Sequence, residues 1–205
     1  MSEADPSGEA NQSGERHGPR WRVIVGVLGL VYGVCGTLMW LLATVSSLFW
    51  KQFMAMAGMG NLEMPAPLFW NGIVSSFILL VLGLMLALGS GLLIARRPRG
   101  ATLMRTWAAL RILMVVVGLV AGFLTMPMQV DFQMTIVEAQ RDMLRQRNVP
   151  EDQWPKADRA KAEAWIRYSM GGMAVLFAAF PLFVGLVLTS RAKKDEIESW
   201  ASLPR

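Results

Sequence analysis

Met54, Met56, Met59 and Met64 crowd one interval of the chain, and Met126 and Met128 flank Pro127 much further on. Thioethers suit Cu(I), so two such clusters on one side of a membrane would form a soft-metal site. A site of that kind would be strengthened by His or Cys, but the chain has one of each: Cys35 inside an apolar tract and His17 in a polar N-terminal stretch. The methionines are therefore expected to be flexible apolar filler, with no metal site. Ser75, Ser76 and Ser90 also lie in an apolar segment and have no basic partner in sequence, which suits hydrogen bonding between helices better than nucleophilic chemistry. No His-Glu-x-x-His, Gly-x-Ser-x-Gly or phosphate-cradling pattern occurs. The expectation is no catalytic residue, no cofactor and no enzymatic activity.

The elements that would carry these residues are four apolar segments, roughly 23–49, 70–95, 112–130 and 170–189, none of which contains an acidic residue or a histidine. Each is close to the ~20 residues that a helix needs to cross the hydrocarbon core. Backbone groups find no partners in lipid, so segments of this length should be helices. A hydrophobic content of 54% over 205 residues is too high for an ordinary soluble domain. The expected fold class is an all-α integral membrane protein: an up-down four-transmembrane-helix bundle spanning 21–190, with a short amphipathic helical hairpin on the outer face. Residues 1–20 are polar and Gly/Ser-rich, which predicts a disordered tail, and 191–205 reads as a second tail. The first apolar segment is longer than a secretory signal core, so an uncleaved signal-anchor helix is expected, although Ala55-Met56-Ala57 has the small-residue form of a cleavage site.

Charge sets the orientation. Arg16, Arg20 and Arg22 precede the first span; Arg96, Arg97, Arg99, Arg105 and Arg111 separate the second and third; Arg191, Lys193 and Lys194 follow the fourth. The formal net charge of +5 is concentrated in these regions, and the positive-inside rule places both termini in the cytoplasm of a multi-pass protein, most naturally in a plasma or inner membrane. Trp21 and Trp107 would then mark the inner interface and Trp50, Trp70, Trp165 and Tyr168 the outer one, with Arg22 and Arg111 as snorkelling anchors. Arg111 could instead lie two turns inside a span drawn from Leu103, where an ionisable group would be a functional candidate.

Small residues recur at helical spacing: Gly26, Gly29, Gly33 and Gly36 on the first span, Gly83 with Ala87, Gly118 with Gly122, and Ala174 with Ala178 on the others. Such spacings let backbones approach closely, either within the bundle or between protomers. Pairing Arg22 with Arg111 aligns Gly29 and Gly33 with Gly118 and Gly122, which suggests a parallel duplication of two hairpins.

Between the third and fourth spans, residues 128–168 form the one sizeable segment outside lipid. Val130, Met134, Val137 and Leu144 share one helical face and Asp131, Glu138, Asp142 and Arg145 another. Glu138 with Arg141, Asp142 with Arg145, and Arg159, Glu163 and Arg167 have ion-pair spacing, while Asn148-Val149-Pro150 should break the helix and Pro155 start the next. A short first and longer second outer loop resembles the tetraspanin and claudin layouts in topology alone, because their cysteine motifs are absent. The expected role is that of an accessory, scaffold or envelope-organising protein whose partners are the lipid bilayer and either a second copy or another membrane protein, with no nucleic acid. The alternative is a transporter or channel subunit acting as an oligomer, for which Thr37, Thr44, Ser46 and Ser47 could line a polar face.

Overall fold

The computed structural model describes residues 21–60 and 62–200. The expected tail over 1–20 and the final five residues lie outside the described residues. Every regular element among those described is a helix: α1 Trp21–Leu48, α2 Trp50–Met56, α3 Ala66–Ile94, α4 Pro98–Gln146, α5 Arg159–Thr189 and α6 Arg191–Ser199, with a single 3-10 turn at Glu151–Gln153. Four of these, α1, α3, α4 and α5, are long and apolar enough to cross a membrane.

The first two agree with the apolar segments read from sequence to within a few residues. The third does not: α4 starts at Pro98, well before Ile112. Pro98 suits a first helical turn because its missing N–H would be unpaired there anyway. Arg96 takes a left-handed φ of 54° to turn the chain, and Gly100 lets the new helix start hard against α3, since a Cβ there would meet Leu93 N at 2.5 Å. Of the five arginines that separate the second and third apolar segments, Arg96 and Arg97 form the turn and α4 runs through Arg99, Arg105 and Arg111.

Successive long helices pack antiparallel. Gly33 of α1 lies against Ala87 and Gly83 of α3, Gly89 of α3 against Met104 of α4, and Ala108 of α4 near Gly185 of α5. The circuit closes through aromatic rings rather than close backbones: Tyr32 of α1 stacks on Phe180 of α5 at 4.6 Å between centroids, and Trp40 faces Phe177 at 6.3 Å. Leu82, Leu86 and Leu93 of α3, Met104 and Trp107 of α4, and Val184 and Leu188 of α5 form the core. Around it, large apolar side chains such as Leu42, Phe77, Leu124, Val175 and Leu186 face outward, as on helices whose solvent is lipid.

The end carrying Trp21, Pro98 and Thr189 is the basic end. There the expected C-terminal tail contains a further helix: α6 folds back so that Ile197 and Trp200 join the core cluster, with Trp200 stacked on Trp21 at 6.3 Å.

At the opposite end α4 continues through Pro127 to Gln146 without interruption. The outer hairpin is therefore an extension of two bundle helices rather than a separate layer. Met126 and Val130 pack against Ile166, and Arg159 pairs with Asp131 at 2.8 Å instead of with Glu163. Glu163 pairs with Arg167 at 2.8 Å as its spacing predicts. Arg141 and Arg145, which could have paired along their own helix, hold the turn: Arg141 Nε donates to the Pro155 carbonyl at 2.9 Å and the Arg145 guanidinium lies 5.5 Å from the Trp154 ring centroid. Asn148, with a φ of 53°, ends the helix at the predicted break.

Arg22 and Arg111 do not occupy equivalent places. Arg22 is in the first turn of α1, whereas Arg111 lies deep within α4, and Gly29 and Gly33 meet α3 closely where Gly118 has no neighbour within 4 Å of a Cβ. Of the glycines so aligned, Gly33 and Gly122 are both closely packed, while Gly29 is packed and Gly118 is not.

Candidate functional site

Gly100, Ala101, Met104, Trp107, Ala108 and Arg111 are the buried residues of the first half of α4. Their spacing is that of one helical face turned to a core, and it carries an arginine along with the apolar side chains. Arg111 is 5% exposed. Its guanidinium lies 5.0 Å from the Phe177 ring centroid, Nε is buried without a hydrogen-bond partner, and no carboxylate among the described residues forms an ion pair with it.

Depth follows from helix geometry. At 1.5 Å per residue, Arg111, Phe177, Leu79 and Cys35 all lie about 18–23 Å from the basic ends of their helices at Pro98, Thr189, Ile94 and Trp21. The four residues therefore share one level of the bundle, well inside their helices. Arg111, read from sequence either as a snorkelling anchor or as lying two turns inside a span drawn from Leu103, is a buried, core-facing residue of α4. It is enclosed by facing helices because α4 begins more than three turns earlier than the hydropathy boundary suggested. Trp107, expected at the interface, is likewise a core residue, 2% exposed and edge-on to Tyr32 at 6.2 Å.

Burial of this charge is only partly offset. An arginine at the centre of a spanning helix costs about 2.5–3.5 kcal/mol on insertion scales. A desolvated cation–π contact returns about 2 kcal/mol, and it leaves Nε without a hydrogen-bond partner. The contrast with Arg105 is direct: two turns nearer the basic end, its guanidinium donates from Nε to the Leu188 carbonyl at 3.0 Å and from Nη2 to the same oxygen.

Two cavities meet at Arg111. The first, about 280 Å³, lies between α1, α3 and α4 and is lined by Tyr32, Cys35, Gly36, Trp40, Leu86 and Trp107 among others. The second, about 230 Å³, lies between α4 and α5 and is lined by Met114, Gly118, Met170, Met173 and Ala174, with Ser75 from α3. Leu79, Arg111 and Phe177 border both. The walls are otherwise almost wholly apolar. Met39 of the first cavity and Met173 of the second are about half exposed, so both cavities reach the outer surface of the bundle.

The small residues divide between two tasks. Gly26, Gly29 and Gly33 close the α1–α3 seam, where added Cβ atoms would meet Ile94 Cγ1 at 2.5 Å, Ser90 Oγ, and Ala87 N at 2.8 Å respectively. Gly83 faces Thr37 across the same seam. Gly122 is packed by Met170 at 3.1 Å, and Ala178 is half-buried on α5. Gly36 and Gly118 differ: no atom lies within 4 Å of a Cβ built on either, and each lines a cavity, as does Ala174. The same spacing that brings two helices together elsewhere leaves space here, because no facing backbone occupies that azimuth.

The remaining marked residues are dispersed. Trp70 and Trp165 are exposed, Trp50 is half-buried at 6.1 Å from Phe132, and Arg22 is half-buried with Nε lacking a partner. Met126 belongs to the small α4–α5 core, while Met59 lines a polar groove with Glu138, Asp142 and Met143. Ser76 and Ser90 are buried in α3, the latter 3.9 Å from the Met104 sulfur. Thr37, Thr44 and Ser47 turn their hydroxyls back onto carbonyls of their own helix, at Gly33, Trp40 and Ala43.

No protein-family model matches this chain, and no curated protein or solved structure shows detectable similarity to it. The functional reading rests on the geometry alone.

Proposed function

We propose that this protein is a non-enzymatic accessory, scaffold or envelope-organising membrane protein, an up-down bundle of four spans with both termini in the cytoplasm. The observation that carries the reading is the continuity of α4. Its 49 residues extend about 73 Å, against a hydrocarbon core of about 30 Å. The part beyond Val130 continues the bundle helix and is tied to α5 by the Asp131–Arg159 pair and to the connection before α5 by the Arg141–Pro155 bond. A stem of that rigidity presents Glu138, Asp142 and the groove beside Met59 and Met143 at a set height and angle, which suits contact with another membrane protein.

The experiment combines orientation and contact. In a Cys35→Ser background, a cysteine at Asp152 should react with a membrane-impermeant maleimide in intact cells, and one at Arg99 should not. A photocrosslinking residue at Asp142 should then yield a discrete protein adduct in native membranes, whereas one at the outward Leu42 should yield lipid adducts only. Reversed labelling inverts the topology, and absence of any protein adduct along the stem removes the scaffold reading.

A second reading, a transporter or channel subunit acting as an oligomer, draws on the two half-open cavities at Arg111. Its test is anion flux in proteoliposomes that disappears in Arg111→Gln.

A further inference from the structure

The unsatisfied guanidinium of Arg111 and the two cavities beside it make a binding site separate from the outer stem. We propose that it takes an amphiphile with an oxyanion head, a carboxylate or phosphate, whose hydrocarbon chain enters one or both cavities.

The head is specified by charge and by donors. Among the described residues Arg111 is the one charged residue lining either cavity, it is 95% covered, and its Nε has no hydrogen-bond partner. A guanidinium presents a planar fork of N–H donors that matches a carboxylate or phosphate in two-point geometry. The Phe177 ring centroid lies 5.0 Å from the guanidinium carbon and the ring offers no oxygen acceptor, so Nε stays available to a ligand. The tail is specified by the walls. Tyr32, Trp40, Leu86 and Trp107 on one side, and Met114 and Met173 on the other, offer apolar surface, and the thioethers adapt to a flexible chain. The two volumes together fall in the usual range of small-molecule sites, about 300–1,000 Å³. Entry needs no aqueous path, because the exposed Met39 and Met173 place the cavity mouths on the apolar flank of the bundle. Glycines at 36 and 118 keep the space open.

The test uses the full-length protein in nonionic detergent, stripped of lipid, with a diazirine-bearing stearic acid and the matching stearyl alcohol as probes. Mass spectrometry maps the adducts. The acid should label cavity residues such as Met39, Met114 and Met173 saturably, about tenfold more tightly than the alcohol, as expected for a charge-assisted pair. Arg111→Gln should abolish that preference. Gly36→Phe and Gly118→Phe should each empty one cavity of label; with no atom within 4 Å of either Cβ, they fill space with little obstruction and serve even where Arg111→Gln fails to fold. Competition separates the sources of the head group. Displacement by oleate supports a fatty acid, and displacement by dioleoylphosphatidylglycerol but not oleate supports a membrane phospholipid, both within the proposal. Equal labelling by acid and alcohol overturns it, as does full competition by inorganic phosphate alone, which would make a free anion the ligand. Cavity labelling that persists unchanged in both phenylalanine variants also overturns it. So does a dimer that occludes Arg111 and dissociates in Arg111→Gln, which would make a second copy the occupant.

Discussion

The indole Nε1 of Trp21 donates a hydrogen bond of 2.8 Å to Oε2 of Glu196, joining positions 175 residues apart in the chain. The bond ties the first turn of α1 to α6, and the same indole is stacked on Trp200 and has the Lys193 ammonium 4.7 Å from its ring centroid. One side chain thus anchors the helix that closes the basic end. Trp21→Phe keeps an apolar ring but removes the donor, and should cost about 1 kcal/mol. Trp21→Ala also removes the stacking and cation–π contacts and should release α6. Hydrogen exchange over 191–200 measures this: fast exchange in Trp21→Ala and intermediate protection in Trp21→Phe are expected, and parent-like protection in both would show that Ile197 and Trp200 hold α6 without Trp21.

Seam and cavity glycines should respond oppositely to the same substitution. At Gly33 and Gly83 a larger side chain runs into the facing backbone or into Thr37. Gly33→Leu and Gly83→Leu should each destabilise by about 1–3 kcal/mol through overpacking. Gly36→Leu and Gly118→Leu meet open space and should stay within about 0.5 kcal/mol of the parent, apart from any gain in helix propensity. Thermal unfolding in detergent distinguishes the two groups. A uniform loss at all four positions would contradict the division between seam and cavity glycines.

Arg111 should be a stability liability. Arg111→Met retains length and apolar packing against Phe177 while removing a buried charge that has no ion-pair partner among the described residues. In lipid-stripped protein the variant should therefore be more stable, by about 1–3 kcal/mol. A loss of more than about 1 kcal/mol would show that the cation–π contact contributes more than the charge costs.

The N-terminal start of α5 should be pH-sensitive. Asp158 caps the helix by accepting a hydrogen bond from the Lys161 backbone N–H at 3.1 Å, and that bond, aided by the Lys161 ammonium, holds its carboxyl below the usual carboxylate range. A folded-state pKa below the unfolded one contributes stability that is present above the unfolded value and is lost as pH falls through the folded value. Amides of residues 159–163 should lose protection in that acidic window and not between pH 5 and 8. Asp158→Asn, which can also cap, should remove the pH dependence while keeping the helix start. A loss of protection unchanged in Asp158→Asn would assign the sensitivity to another group.

The sequence by itself determined the number of long helices, the break at Asn148 and the Glu163–Arg167 pair. Each depends on neighbours within a few turns: apolar length, a residue that tolerates a left-handed turn, and i,i+4 reach. The start of α4 was also present in the chain, in the spacing of Gly100, Met104, Trp107 and Arg111, but five nearby arginines hid it from a reading by hydropathy and charge. Tertiary structure alone decided the rest. Gly33 and Gly36 are one turn apart on the same helix, yet one is sealed by α3 and the other opens into a cavity, because the facing backbone is near enough at only one of those levels. Whether Arg111 reaches water depends on the rings and helices across from it, and whether 191–200 is a tail or a helix docked on Trp21 depends on contacts with the other end of the chain. Local pattern sets what a helix is made of; the distance and azimuth of its neighbours set what each residue on it does.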